Sequence, residues 1–167
     1  CQLLHPDLVA ALPACDALTR AMGPRRGELR MAVTVSQAGL DIDLSETRLP
    51  TREDRMALAE IAGAHPIARI SVEGDPVITT AAPTQDFDGI PVTPPPGAFL
   101  QATKQGEAAL RQAVTAAVGP ARRLVDLFAG CGTFALPLAR NAEVHAVEGD
   151  RAMTDAMDKG WRQSTGL

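Results

Sequence analysis

The sequence predicts an α+β domain with an antiparallel sheet, followed by the first part of an α/β, Rossmann-like domain. Three observations carry this reading. Residues 29–36 and 40–44 alternate apolar and polar at period two around Gln37-Ala38-Gly39, the pattern of a β-hairpin. Three prolines, Pro94 to Pro96, then punctuate the chain. Beyond them, Leu124-Val125-Asp126-Leu127 reads as a buried parallel strand that turns at Gly130 and Gly132 into a helix.

Each element has its own signal. Leu8, Val9, Leu12, Cys15 and Leu18 stand near helical spacing and predict a helix or helical pair over residues 6–22, broken by Gly23-Pro24. The hairpin follows. Thr51 is a candidate N-cap with Asp54 three residues on, and Met56, Leu58, Ala59 and Ile61 make an amphipathic helix ending near Gly63. Residues 67–72 and 76–80 form a second hairpin around Glu73-Gly74-Asp75. A loop then leads to Ile90-Pro91-Val92, read as a short strand. The alternation, without βαβ periodicity, points to an antiparallel sheet, and the prolines set the domains at 1–93 and 94–167. In the second, residues 103–118 are helical, 122–127 a strand, 133–140 a helix, 143–147 a strand and 150–161 a helix.

Composition bounds the function. The chain has 167 residues, 46% of them hydrophobic, and a formal net charge of −4. That is opposite to the basic footprint of an autonomous nucleic-acid binder. Aromatics are only 3%, with no Tyr, which argues against a stacking surface for single-stranded RNA on this stretch. No apolar run has membrane-spanning length and no signal peptide is visible, so the expectation is a cytoplasmic protein without a membrane partner. The start at Cys1 and the end at Gly166-Leu167 predict an internal piece of a longer protein.

The glycine corner carries the chemistry. Gly130, Gly132 and Ala135 formally satisfy a dinucleotide fingerprint, but more than a hundred residues precede them, whereas such folds open on their glycine turn. The surrounding residues favour another ligand. Asp126-Leu127-Phe128-Ala129-Gly130-Cys131-Gly132-Thr133-Phe134-Ala135-Leu136-Pro137-Leu138-Ala139 resembles the first motif of S-adenosylmethionine-dependent methyltransferases. It resembles most closely the RNA (uracil-5-)-methyltransferase family. Pro96-Gly97-Ala98-Phe99-Leu100-Gln101-Ala102-Thr103 is similar to that family's F-x-Q-x-N segment, in the right order and at a plausible distance.

The resemblance implies a cofactor, S-adenosylmethionine, and a Rossmann-like methyltransferase domain of which this chain holds the first two strands. Backbone N–H groups from Gly130 to Thr133 suit the ligand's carboxylate. Glu148, ending the second strand, has two oxygens for the ribose hydroxyls. Gln101 is assigned to the methionine moiety and Phe128 to the ligand, with buried packing as the alternative for Phe128. Thr133 stands where many members have Asn and keeps a hydroxyl but loses an amide arm. Asp126 binds either the ligand's ammonium or the backbone of the turn, and both readings stand.

The implied reaction is methyl transfer to C5 of a uracil, with ribosomal RNA favoured over transfer RNA, which implies RNA methylation in the course of rRNA processing. A cysteine adds to C6, C5 takes the methyl group, and a base removes the C5 proton. The family places that nucleophile in an S-C-N-P segment which this sequence lacks, so no catalytic residue is expected within it. The alternatives are a methyltransferase acting on another substrate and a non-catalytic RNA-positioning module. The open parallel sheet predicts weak or no cofactor binding by this chain alone, and self-association.

The three cysteines make no disulfide framework. Cys15 reads as a small core residue and Cys131 as a small residue in a tight turn. Cys1-Gln2-Leu3-Leu4-His5-Pro6 resembles the family's isolated C-x-L-x-x-P segment, which implies Cys1 as fourth ligand of a 4Fe-4S iron–sulfur cluster in the whole protein. His145 is expected to pack against its neighbours, and Asp41 and Asp43 to share a solvent face.

Overall fold

The computed structural model describes residues 4–165. They form two compact units that divide between Thr84 and Gln85. The first contains α1 (Pro6–Ala10), α2 (Leu12–Met22), β1 (Arg30–Ser36), β2 (Gly39–Ser45), α3 (Arg52–Ala64), β3 (Ile67–Val72) and β4 (Asp75–Thr79). Its strands lie in the order β1-β2-β3-β4. The outer pairs are antiparallel hairpins, but β2 and β3 run parallel. The expected antiparallel sheet is therefore mixed. Helix α3 carries the chain back along the sheet between the hairpins, and such a crossover makes the strands it joins parallel. Period-two alternation locates strands and says nothing about their relative direction.

One sheet face carries the core. Leu40, Ile42 and Leu44 of β2 and Ile70 and Val72 of β3 pack against Leu18 and Met22 of α2 and Leu58 of α3. Helix α3 starts where its capping box requires. The Thr51 hydroxyl accepts the Asp54 N–H at 3.2 Å, and the Asp54 carboxylate accepts the Thr51 N–H at 2.8 Å. Arg48 grips the same carboxylate, which with the Thr51 bonds holds Asp54 far below the usual carboxylate range.

The opposite face of β2 and β3 is not simply solvated. Arg69 is buried and donates from Nε and one terminal nitrogen to Asp41 at 2.8 and 2.7 Å, and Asp43 accepts the Gly74 N–H at 3.2 Å. This corrects the expectation of a shared solvent face. The parallel register sets Asp41 beside Arg69, a neighbour the hairpin pattern did not supply.

The second unit contains β5 (Gln85–Asp86), β6 (Pro91–Val92), α4 (Lys104–Val118), β7 (Arg123–Leu127), α5 (Ala135–Ala139), β8 (Glu143–Val147) and α6 (Arg151–Thr165). Strands β5 and β6 form a small hairpin whose turn residues, Asp88 and Gly89, both have positive φ, 59° and 83°. Asp-Gly is the sequence signature of that turn, and it stands in plain view where a loop was expected. The hairpin's Phe87, Ile90 and Val92 cluster with Cys131 and Leu136, with Met153, Met157 and Trp161 of α6 packed on them. The compact units thus divide before this hairpin, upstream of the boundary placed after Thr93. Its apolar side chains belong to the second core, whereas the prolines are only a stiff stretch within that unit.

Strands β7 and β8 pair in parallel, Leu127 opposite Val147 at the top. Leu124, Asp126, Val144 and Ala146 are half-buried, while Val125 and Leu127, on the other face, are 64% and 62% exposed. His145 lies on that open face and is exposed, not packed as expected. Among the described residues no helix is long and apolar enough to cross a membrane.

Asp41→Ala removes two carboxylate acceptors from the buried Arg69 guanidinium and is expected to cost about 3 kcal/mol, because a desolvated charge loses its ion-pair partner. Urea denaturation followed by circular dichroism measures it, and Asp41→Asn should cost less.

Candidate cofactor-binding site

The corner after β7 is built by backbone conformations that ordinary side chains resist. Phe128, Gly130 and Gly132 have φ of 61°, 57° and 93°. The two glycines adopt this at little cost. Phe128 does so against the preference of an L-residue with a bulky side chain, and its ring is 91% exposed. Among the described residues Phe128 is therefore not buried by packing. The ring is held out at the carboxyl end of the sheet, where open α/β folds bind ligands.

The two glycines have different reasons to lack a side chain. A Cβ on Gly132 would lie 2.7 Å from Leu136 Cγ and 2.9 Å from Met157 Cγ, so bare backbone lets α5 and α6 close on the corner. A Cβ on Gly130 would meet nothing within 4 Å. The outward side of Gly130 is open space, a cradle that a side chain would fill.

Strand pairing continues past the regular ladder. The Ala129 N–H donates to the Val147 carbonyl at 3.1 Å. One residue on, Gly130 N–H donates to Glu148 Oε2 at 2.9 Å, and Asp150 N–H donates to Glu148 Oε1 at 3.0 Å. These backbone donors pull the Glu148 carboxyl below the ordinary glutamate range. Asp150 in turn accepts the Ala152 N–H at 2.8 Å and so caps α6. The Gly130 N–H, expected to face a ligand carboxylate, is engaged by Glu148 instead.

Asp126 points under α5. Burial raises its carboxyl pKa, an effect that the nearby Ala135 N–H opposes, and neither the ammonium reading nor the backbone reading is decided by this. Its Oδ2 is buried and has no partner among the described residues. Thr133 is half-buried in the turn before α5. Cys131 is buried, and burial with the charges of Asp150 and Glu148 pushes its thiol up to about 11. Such a thiol is protonated at neutral pH and is no nucleophile.

Gln101 is half-buried, and its neighbour Leu100 packs on the cluster that contains Cys131. The structure thus brings the F-x-Q segment to the core beneath the glycine corner. A buttress escaped the sequence reading. Arg140, capping α5, donates to the Asp88 carbonyl at 2.6 Å and ties α5 to the β5–β6 hairpin. No local pattern announces a bond between such distant residues, although the Asp-Gly turn was a visible half of it. Cys1 lies outside the described residues. Among the described residues, no three His, Cys, Asp or Glu side chains are grouped to hold a metal ion.

Comparison with known proteins gives this geometry its context. The chain is 41% identical over 167 residues to an uncharacterized RNA methyltransferase of Rhizobium meliloti, covering 100% of this chain and 40% of the relative. It is 31% identical over 170 residues to the 23S rRNA (uracil(1939)-C(5))-methyltransferase RlmD of Aeromonas hydrophila, covering 97% of this chain and 38% of that protein. The chain is similar to RNA methyltransferases along its whole length. It spans about 40% of the length of the curated relatives it matches. Among solved structures, the tRNA (uracil-54, C5)-methyltransferase of Pyrococcus abyssi in complex with S-adenosyl-L-homocysteine matches with a TM-score of 0.70 at 15% identity. That match covers 92% of this chain and 42% of the other, and at such identity it is a likeness of fold. No protein-family model matches the chain.

Gly132→Ala is expected to destabilise the second unit by about 2–3 kcal/mol, through overpacking against Leu136 and Met157 on top of a strained φ. Gly130→Ala, with free space around it, should cost only about 1–2 kcal/mol. Thermal melts of the two variants test this order.

Glu148 supplies a pH test. A depressed carboxyl pKa gives stability fully present above the ordinary glutamate value, about 4.3, and lost as pH falls through the lower folded value. The stability gap between wild type and Glu148→Gln should be constant above about pH 5 and close below about pH 4. Guanidinium unfolding across that range measures it.

Proposed function

We propose that the whole protein transfers a methyl group from S-adenosylmethionine to C5 of a uracil in ribosomal RNA, and that this chain provides the opening part of its cofactor-binding domain. One observation carries the reading. The acid ending β8 and the glycine corner ending β7 sit at the carboxyl ends of adjacent parallel strands and are joined by a hydrogen bond. That is the arrangement for a ligand with a ribose diol and an anionic group.

The residues present fit such a ligand. The space outside Gly130 admits it, and each Glu148 oxygen keeps a lone pair for a ribose hydroxyl beside its backbone donor. Phe128 offers an exposed ring, the Thr133 hydroxyl suits the methionine carboxylate, and Gln101 suits the methionine moiety. Asp126, half-buried below the corner, suits the ligand's ammonium or the backbone of the turn. When bound, S-adenosylmethionine supplies a methyl group on a sulfonium centre. Cys131 cannot supply the thiolate that adds to C6, so the nucleophile and the base are assigned to other parts of the protein.

Ribosomal RNA is favoured because the named relative of similar sequence acts on 23S rRNA, whereas the likeness to the tRNA enzyme is one of fold. The reading places the protein in the cytoplasm with its RNA. Cys1 as a cluster ligand remains part of the proposal for the whole protein, and no step depends on it.

The test uses tritiated S-adenosylmethionine with full-length protein and either 23S rRNA or tRNA from cells lacking the enzyme. Label in 5-methyluridine of 23S rRNA is expected, and label elsewhere or none overturns the assignment. Calorimetry with S-adenosylhomocysteine should show this chain binding at least about a hundredfold more weakly than the full protein, a loss near 3 kcal/mol. Two strands leave much of the ligand uncovered.

A further inference from the structure

We infer that Glu148 is a positioning residue as well as a ligand-facing one: its carboxylate clamps the two successive strand-to-helix turns of the second unit together before any ligand arrives. The inference deepens the cofactor reading, but its structural half stands without it.

The geometry is specific. Oε2 accepts the N–H of Gly130, in the turn from β7 to α5, and Oε1 accepts the N–H of Asp150, in the turn from β8 to α6. Asp150 passes the constraint on, because its Oδ1 accepts the Ala152 N–H at the start of α6. A single side chain therefore links both turns. It also takes the place of the next backbone acceptor in the ladder, since regular pairing ends at Leu127 and Val147 and one further bond joins Ala129 to Val147.

Gly130 needs such a hold. Its φ is 57° and no heavy atom would touch a Cβ there, so packing does not fix its outward side. Gly132, by contrast, is walled in by Leu136 and Met157. Without the Glu148 bond, the half of the corner that faces the ligand would be free to rearrange. Preorganised donors and acceptors bind better than mobile ones because the ordering cost is met on folding.

The test is amide hydrogen exchange of the intact chain by NMR, without ligand. In wild type the Gly130 amide should be protected. In Glu148→Ala it should exchange about tenfold faster or more, the loss of a bond to a charged acceptor, while Ile70 in the first unit and Ala129 stay protected. Glu148→Gln, which keeps one carbonyl acceptor, should fall between and covers the case in which the alanine variant misfolds. A Gly130 amide that exchanges at a free-turn rate in wild type, or at the wild-type rate in both variants, overturns the clamp.

A second readout separates positioning from simple contact. Adenosine reports only the ribose side, whereas S-adenosylhomocysteine also uses the corner. With the full-length protein, Glu148→Ala should weaken S-adenosylhomocysteine at least about tenfold more than it weakens adenosine. Equal losses reduce Glu148 to a ribose contact and overturn the positioning role. If the wild type binds neither ligand, the cofactor reading fails while the exchange result still decides the clamp.

Discussion

The second unit depends on backbone that comes too close for side chains. Met157 of α6 and Leu136 of α5 lie where a Cβ of Gly132 would be, and α6 also rests on β6 at Gly160, where a Cβ would be 2.7 Å from the Pro91 carbonyl. These two approaches let a short helix, a long helix and a two-residue-strand hairpin share one core around Cys131. The corner is therefore rigid underneath, at Gly132. It is open above, at Gly130. A turn that is packed on one side and empty on the other suits a place where a ligand supplies the missing surface.

That division explains why the exposed part of the corner is held by polar bonds and the buried part by contact. Glu148 is half-buried and accepts two backbone donors, and its depressed pKa follows from those donors and not from a paired cation. Phe128 is held in a left-handed conformation with its ring in solvent. Backbone strain at a residue that is so exposed among the described residues is hard to explain as stability and is understandable as presentation. The open face of β7 and β8, with Val125 and Leu127 exposed, has the same character: apolar surface ready to be covered.

The first unit uses burial differently. Its core face is a continuous aliphatic surface, while the reverse face holds the buried Arg69 with its carboxylate partner Asp41. A buried ion pair is weak evidence for stability, but breaking it is costly. It also bears on register, because the parallel pairing of β2 with β3 places Asp41 beside Arg69. The pair thus favours the mixed sheet over alternatives that the alternation pattern alone would allow.

The sequence by itself determined what is encoded over short spans. Capping at Thr51 and Asp54, the helix from Lys104 to Val118, the strand from Glu143 to Val147 and the glycine turn are all local, because a few neighbouring residues decide each. The methyltransferase resemblance rests on the same kind of local string, and it named the corner, Gln101 and Glu148 as candidates. Tertiary structure decided the rest. The direction of β3 relative to β2, the allegiance of the β5–β6 hairpin and the Arg140 bond to Asp88 join residues far apart in the chain. So does the bond that gives the Gly130 N–H to Glu148, eighteen residues on. Local pattern fixes which groups are available. Which of them meet is set by how strands pair and helices pack, and no single stretch of sequence contains that information.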